Sequence, residues 1–217
     1  MKYKGVIFDF NGTLLWDTSL HNIAWDIFLQ KHHFQLTDEE KNEKIHGKTN
    51  KDIFAGIFKR KVEGEELQAY ILEKEYLYQN LVIQQDLQLA DGVTDLFDTL
   101  KTHQIPFTIA TSSGIENFNF YFERYGLNRW FKQELAVYDN GSMKSKPHPD
   151  FFLQASKNLN LNPAETIVFE DSFAGIKAAE NAGSGKIIII NSMENDYRDS
   201  PHECITTFNG INWQQLL

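Results

Sequence analysis

Val6-Ile7-Phe8-Asp9-Phe10-Asn11-Gly12-Thr13-Leu14 decides how this chain is read. A short apolar run ends in a carboxylate, and an Asn-Gly turn follows at once. Runs of this length bounded by turn residues read as buried strands. Asp9 then stands at the carboxyl end of a strand, where open α/β sheets bind their ligands. A carboxylate held on a rigid element suits a nucleophile or a metal ligand. The plainer reading is that Asp9 only caps the next helix, so the rest of the chain must decide.

Working outward, residues 4–9 form the first strand. From residue 17 to about 85 the period changes. Thr18 or Ser19 can cap a helix with an apolar face of Ile23, Ile27 and Phe28, and Thr37-Asp38-Glu39-Glu40 reads as a second helix start. Ile53, Phe54, Ile57 and Phe58, then Leu67, Tyr70, Ile71 and Leu77, continue at helical spacing. This block has no convincing strand and reads as an all-helical insert of about four helices.

Beyond it, helices around residues 93–100, 118–125, 149–159 and 172–182 alternate with strands at 106–111, 134–138, 166–169 and 185–190. Near-continuous apolar strands alternating with helices imply a parallel sheet covered on both faces. The expectation is an α/β, Rossmann-like core of residues 1–15 and 87–217, with residues 16–86 as a helical cap domain.

The bulk numbers narrow the partners. Lys+Arg 21 against Asp+Glu 30 gives a formal charge of −9, which argues against nucleic acid or an anionic membrane. No run approaches the ~20 apolar residues of a membrane span. The single cysteine, Cys204, forms no intrachain disulfide, and no signal-peptide pattern is present. Together these point to a cytoplasmic protein, and a crevice complete within one chain favours a monomer.

The polar groups fall in a pattern. Asp9, Thr111 and Glu170-Asp171 each follow directly on an apolar strand, and Lys146 precedes a helix in Lys144-Ser145-Lys146-Pro147-His148-Pro149-Asp150. Three acids, a hydroxyl and a lysine at one crevice repel and desolvate unless compensated. A divalent cation and a phosphate compensate them: carboxylates bind Mg²⁺, while hydroxyl, backbone N–H and lysine hold phosphate oxygens.

These residues, in this order, resemble the haloacid-dehalogenase-like superfamily of phosphohydrolases, and its β-phosphoglucomutase-like branch in particular. Phe8-Asp9-Phe10-Asn11-Gly12-Thr13 is similar to the family's Asp-x-Asp-Gly-Thr loop, Thr111 takes the Ser/Thr position, and Lys146 falls in a Lys-Pro-x-Pro-Asp loop. Glu170-Asp171-Ser172-x-Ala174-Gly175-Ile176 is similar to its acidic loop. The resemblance implies that Asp9 attacks phosphorus to form an aspartyl-phosphate. Asp9, Asp171, Glu170 and the Asn11 carbonyl would hold Mg²⁺. Thr111, Ser112, Lys146 and the Asn11-Gly12 backbone would grip phosphoryl oxygens, and Lys146 would keep Asp9 ionised. Ile45-His46-Gly47-Lys48-Thr49-Asn50-Lys51 resembles the cap loop that contacts substrate, through Gly47, Lys48, Thr49 and Lys51. His21 matches a histidine of the sugar-phosphomutase branch.

One position departs. The family has Asp where Asn11 stands, and that Asp is its general acid/base. An amide does not titrate near neutral pH, and general acid–base catalysis is typically worth about 10²–10⁴-fold. Either His21 or Asp17 supplies the proton, or substrates have good leaving groups, or the protein binds phosphometabolites without turning them over. Asn50 also stands at the mutase branch's phosphate-gripping Arg position, which ranks a phosphatase for a small phosphorylated metabolite above a mutase. A metal-independent 2-haloacid dehalogenase is the remaining alternative, and the acidic pair Glu170-Asp171 counts against it.

Overall fold

The computed structural model describes residues 3–212 and residue 214. Its six strands are β1 Gly5–Phe8, β2 Phe107–Gly114, β3 Val137–Asp139, β4 Thr166–Glu170, β5 Lys186–Ile190 and β6 Glu203–Ile205. They make one sheet in the order β3-β2-β1-β4-β5-β6, with every neighbouring pair parallel. This is the α/β, Rossmann-like fold that the alternating pattern predicts.

The apolar runs are continuous because both faces of the sheet are covered. Val6 and Phe8 of β1 join Ile167, Phe169, Ile188 and Ile190 in one buried cluster. Ile7 joins Val168, Ile187 and Ile189 in the cluster on the other face, as a period of two residues requires. Phe8 is fully buried, stacked on Phe169 at 5.1 Å and edge-on to Phe97 at 5.4 Å. Truncating such a ring to alanine typically costs about 3–5 kcal/mol.

After β1 the chain first builds β2 and β3 on one side, then crosses to add β4, β5 and β6 on the other. The strand order therefore reverses beside β1, which is where such sheets open a crevice. Asp9 lies at that point.

Between β1 and β2 stand α1 Thr18–Lys31, α2 Asp38–Lys44, α3 Asn50–Phe58 and α4 Gly64–Gln84, followed by α5 Val93–Thr102. The first four have a hydrophobic cluster of their own, including Trp25, Phe28, Phe54 and Ile57. The Thr37 start is a full capping box: Thr37 Oγ1 accepts the Glu40 N–H and Glu40 Oε2 accepts the Thr37 N–H, an arrangement typically worth about 1 kcal/mol. The remaining helices are α6 Ile115–Arg124, α7 Asp150–Asn158 and α8 Phe173–Ala182.

Several expectations need correction. The residue preceding α1 is Asp17, not Thr18 or Ser19, and its side chain caps nothing in that helix. The buried face of α1 is Leu20, Ala24, Trp25, Phe28 and Leu29, whereas Ile23 and Ile27 are exposed. Trp25 pulls the helix round, since one indole buries more apolar area than either isoleucine. The strand expected at 134–138 shrinks to Val137–Asp139 behind a turn of 3₁₀ helix at Gln133–Leu135. β6 was not foreseen, because Glu203-Cys204-Ile205 is an edge strand too short and too exposed to show a pattern.

Candidate active site

Asp9 follows β1 directly, and its N–H donates to the carbonyl of Phe169 at 3.0 Å, which ties it to the end of β4. Lys146, fully buried, reaches between the two strand ends. Its Nζ lies 2.6 Å from Asp9 Oδ1 and 2.6 Å from Glu170 Oε1. Glu170 Oε2 accepts the N–H and hydroxyl of Ser172, whose own Oγ caps α8 by accepting the Gly175 N–H. Asp171 Oδ1 accepts from Thr13 Oγ1 at 3.2 Å, and its carbonyl accepts the Tyr197 hydroxyl.

Two glycines make room for these acids. A Cβ on Gly12, which has φ +77°, would stand 2.0 Å from Asp171 Oδ2. A Cβ on Gly175 would stand 1.6 Å from Glu170 Oε1. Carboxylates thus occupy the space where side chains would otherwise begin.

Electrostatics set the character of the cluster. Burial pushes the Asp9 carboxyl up to about 7; the Lys146 charge pulls it down, and the Glu170 charge pushes it up again. Lys146 thus favours the ionised form of Asp9, and burial works against it. Burial raises Asp171 well above the usual carboxylate range, with the Glu170 and Asp9 charges adding to it. Burial works against the charge of Lys146, yet Asp9 and Glu170 more than offset that and raise its pKa.

Oxygens of Asp9, Glu170 and Asp171 lie within 4.8 Å of one another. Three carboxylates against one ammonium leave an excess of two negative charges when all are ionised. An all-oxygen, hard donor set with that excess fits Mg²⁺. Glu170 has both oxygens engaged, so Asp9 and Asp171 are the better-placed ligands and Glu170 serves chiefly to hold Lys146.

Asn11 sits in a tight network. Its Nδ2 donates to Asp17 Oδ2 at 2.6 Å and to the Tyr121 hydroxyl at 2.6 Å. Its Oδ1 accepts from Ser113 Oγ at 2.7 Å and more distantly from Thr111 Oγ1 at 3.4 Å. Asp17 is fully buried and accepts in addition from the Gly12 N–H at 3.0 Å and from the Tyr78 hydroxyl. Burial alone would raise its pKa, but bonds from His21, Tyr78 and Asn11 bring it below the ordinary value, so Asp17 stays a carboxylate. Burial, then the Lys74 charge, lowers the pKa of His21, which is therefore neutral near pH 7. Neither is set to donate a proton there. The Gly12 N–H, expected to face phosphate, is taken by Asp17 and by the Leu15 carbonyl.

A crevice of about 110 Å³ runs from these groups into the helical block. It brings together Asp9, Asn11, Thr111, Ser112, Lys146, Glu170 and Asp171 from the sheet side with His21, Gly47 and Lys48 from the helical side. Thr49 and Lys51 are not on its wall. Thr49 instead clasps the Lys146 loop, its N–H donating to Ser145 Oγ at 2.9 Å, while Lys51 is exposed beside a separate surface groove. Gly47 accepts the Ser112 hydroxyl at 3.2 Å, and Lys48 Nζ donates to the Lys146 carbonyl at 3.3 Å. Trp25 is buried and also lines the crevice.

Sequence reasoning missed Ser113, Lys74, Glu75 and Asn117, all on the crevice wall. Ser113 was within reach, since it directly follows the strand-end Thr111-Ser112. Lys74 and Glu75 carry no signal in sequence, because a charge pair on a long helix ordinarily faces solvent.

The family model for haloacid dehalogenase-like hydrolases matches residues 3–183. A crystal structure of a haloacid dehalogenase-family hydrolase, family IA, variant 3, from Entamoeba histolytica superposes with a TM-score of 0.85 at 35% identity, covering 98% of this chain and 97% of that one. The β-phosphoglucomutase of Bacillus subtilis is 30% identical over 188 residues, 83% of this chain and 80% of its own length. The bifunctional riboflavin kinase/FMN phosphatase of Arabidopsis thaliana is 30% identical over 195 residues, 87% of this chain but only 48% of that larger protein.

Proposed function

Because the chain belongs to the haloacid dehalogenase-like hydrolase family, we propose that it is a Mg²⁺-dependent phosphatase of small phosphorylated metabolites, working through an aspartyl-phosphate on Asp9. The observation that carries this reading is Lys146 Nζ at 2.6 Å from both Asp9 and Glu170, with Asp171 alongside. A cation that bridges the nucleophile and its neighbour suits a site that must bring a dianionic phosphoryl group up to a carboxylate.

In this reading Asp9 attacks phosphorus in line, and the bond from phosphorus to the ester oxygen breaks as the Asp9–phosphorus bond forms. Water then cleaves the acyl phosphate, returning Asp9 and releasing inorganic phosphate. Thr111 Oγ1 and Lys146 Nζ are the donors placed to follow the phosphoryl oxygens. Asp9, Asp171 and the Asn11 carbonyl would hold Mg²⁺, which would neutralise phosphoryl charge when bound. Residues 16–86 act as the cap that shuts out water.

Asn11 shapes the rate. Its amide donates and accepts but passes no proton, so the departing alkoxide draws its proton from water, and turnover rises as the leaving group becomes less basic. The mutase reading is weaker: Asn50 lines the crevice where that branch carries a guanidinium.

The test is phosphate release from a panel of phosphometabolites, acetyl phosphate and p-nitrophenyl phosphate, with Mg²⁺ and with EDTA. Release that needs Mg²⁺ and disappears in Asp9→Asn supports the proposal. Chloride release from 2-haloacids without metal, and no phosphate release from any substrate, would replace it with the dehalogenase.

A further inference from the structure

Asp171 stands between the end of β4 at Glu170 and Ser172, the residue that caps α8. Both neighbours are fixed by their side chains: Glu170 by Lys146 and by the Ser172 N–H, and Ser172 by the Gly175 N–H that its Oγ accepts. The Asp171 carboxylate is held more loosely, by Thr13 Oγ1 at 3.2 Å, and its oxygens lie within 4.8 Å of those of Asp9 and Glu170. Like charges gathered that closely push apart. A carboxylate that must stay beside Asp9 before a cation arrives therefore needs a hold on its main chain.

That hold comes from the loop after β5. The Tyr197 hydroxyl donates to the Asp171 carbonyl and accepts from Asn195 Nδ2 at 3.5 Å. Asn195 is pinned in turn by Asn191, the residue directly beyond β5. The Asn195 N–H donates to Asn191 Oδ1 at 2.8 Å, and its carbonyl accepts from Asn191 Nδ2 at 2.9 Å. The Asn191 N–H donates to the Ile205 carbonyl of β6 at 2.8 Å. The Tyr197 ring is buried in one cluster with Val168 of β4 and with Ile187 and Ile189 of β5, and the exposed ring of Phe173 covers it at 4.9 Å. A line of contacts thus runs from the end of β5 to the peptide of Asp171. A phenol is neutral near pH 7 and both donates and accepts, so each bond in the line polarises the next.

We propose that Tyr197 is a positioning residue for the cation site: by clamping the Asp171 carbonyl to the loop after β5, it keeps the Asp171 carboxylate aimed at Asp9. This rests on the Mg²⁺-dependent reading above. Tyr197 touches neither substrate nor cation in this arrangement; it acts through the main chain of Asp171. From the other side Gly12 confines the same carboxylate, whose Oδ2 lies 2.0 Å from where a Cβ on Gly12 would stand. The tyrosine behind and the glycine in front leave Asp171 little room to retreat from its neighbours.

The test titrates Mg²⁺ alone into wild type and Tyr197→Phe by calorimetry. Phenylalanine keeps the ring that packs on β4, β5 and Phe173 and removes only the hydroxyl. The Kd for Mg²⁺ is expected to rise about 10-fold or more, the scale on which partners of metal-binding side chains act. With p-nitrophenyl phosphate, the Mg²⁺ concentration for half-maximal activity is expected to rise by the same factor, while kcat at saturating Mg²⁺ is unchanged. Asn195→Ala, which strips the amide behind the same hydroxyl, is expected to weaken Mg²⁺ binding less than Tyr197→Phe does. An unchanged Kd in folded Tyr197→Phe overturns the proposal, as does a loss of kcat that saturating Mg²⁺ does not restore. An Asn195→Ala effect as large as that of Tyr197→Phe also overturns it, since control would then lie in the loop and not in the hydroxyl. A wild type that takes up no Mg²⁺ overturns the Mg²⁺-dependent reading and this proposal together, whereas equal uptake by wild type and Tyr197→Phe overturns only this one.

Discussion

Asn11 donates its amide to the buried carboxylate of Asp17 across 2.6 Å. A carboxylate at position 11 could not do this without a proton between the two, since like charges at that distance cannot both ionise. Asn11→Asp therefore creates an acid pair that shares a proton next to the leaving group. Its kcat is expected to rise by about 10²-fold or more on an alkyl phosphate, and by much less on p-nitrophenyl phosphate, whose leaving group needs little help. Steady-state phosphate release with both substrates checks this, and equal gains would show that proton donation is not what Asn11 lacks.

Gly175→Ala is expected to destabilise, although alanine inside a helix is ordinarily favoured over glycine by about 1 kcal/mol. The new Cβ would fall 1.6 Å from Glu170 Oε1, forcing that carboxylate off Lys146. A lowered melting temperature together with lowered activity is the expected result. A raised melting temperature would mean that the acid loop yields without cost.

Lys146→Ala leaves Asp9 and Glu170 buried without their shared cation. Breaking a buried ion pair on one side typically costs about 3–5 kcal/mol. Urea unfolding without Mg²⁺ should show a loss of that size, together with loss of phosphatase activity. A loss below about 1 kcal/mol would place the pair in the range of exposed salt bridges.

His46 gives the pH dependence its sign. Burial first, then the charges of His21 and Lys41, lowers its pKa from 6.5 to about 4, and its Nε2 lies 3.0 Å from Asn22 Oδ1. A histidine depressed in the folded state stabilises fully above its unfolded pKa. That stability is lost as pH falls from about 6.5 towards 4, at up to about 1.4 kcal/mol per pH unit. The difference in unfolding free energy between wild type and His46→Gln should therefore shrink or reverse between pH 7 and 4.5. A constant difference would show that His46 protonates as readily folded as unfolded.

The fold was legible because β1, β4 and β5 are apolar on both faces, which only a covered parallel sheet requires. The cluster of Asp9, Lys146 and Glu170-Asp171 was legible because each lies directly beyond a strand or in the loop before a helix. Asp17 was half legible: it looks like an ordinary helix cap, yet its side chain turns back to Gly12 and Asn11. Lys74 and Glu75 were not legible. Whether a helical charge faces water or a crevice depends on how α4 lies over the sheet, which is a tertiary fact. The burial that opposes ionisation of Asp9 was not legible for a related reason, since sequence shows a neighbouring charge but not the depth at which both are buried.

Ser145 and Lys146 are consecutive, and they belong to two different fastenings. Ser145 Oγ binds Thr49 and Asp52 from the helical block, while Lys146 Nζ binds Asp9 and Glu170 beneath the sheet's edge. Swinging the helical block outward must then either break the hydrogen bonds to Ser145 or drag on the peptide that carries Lys146. In the second case any outward movement of the helical block and the slackening of the Lys146 contacts to Asp9 and Glu170 become a single mechanical event.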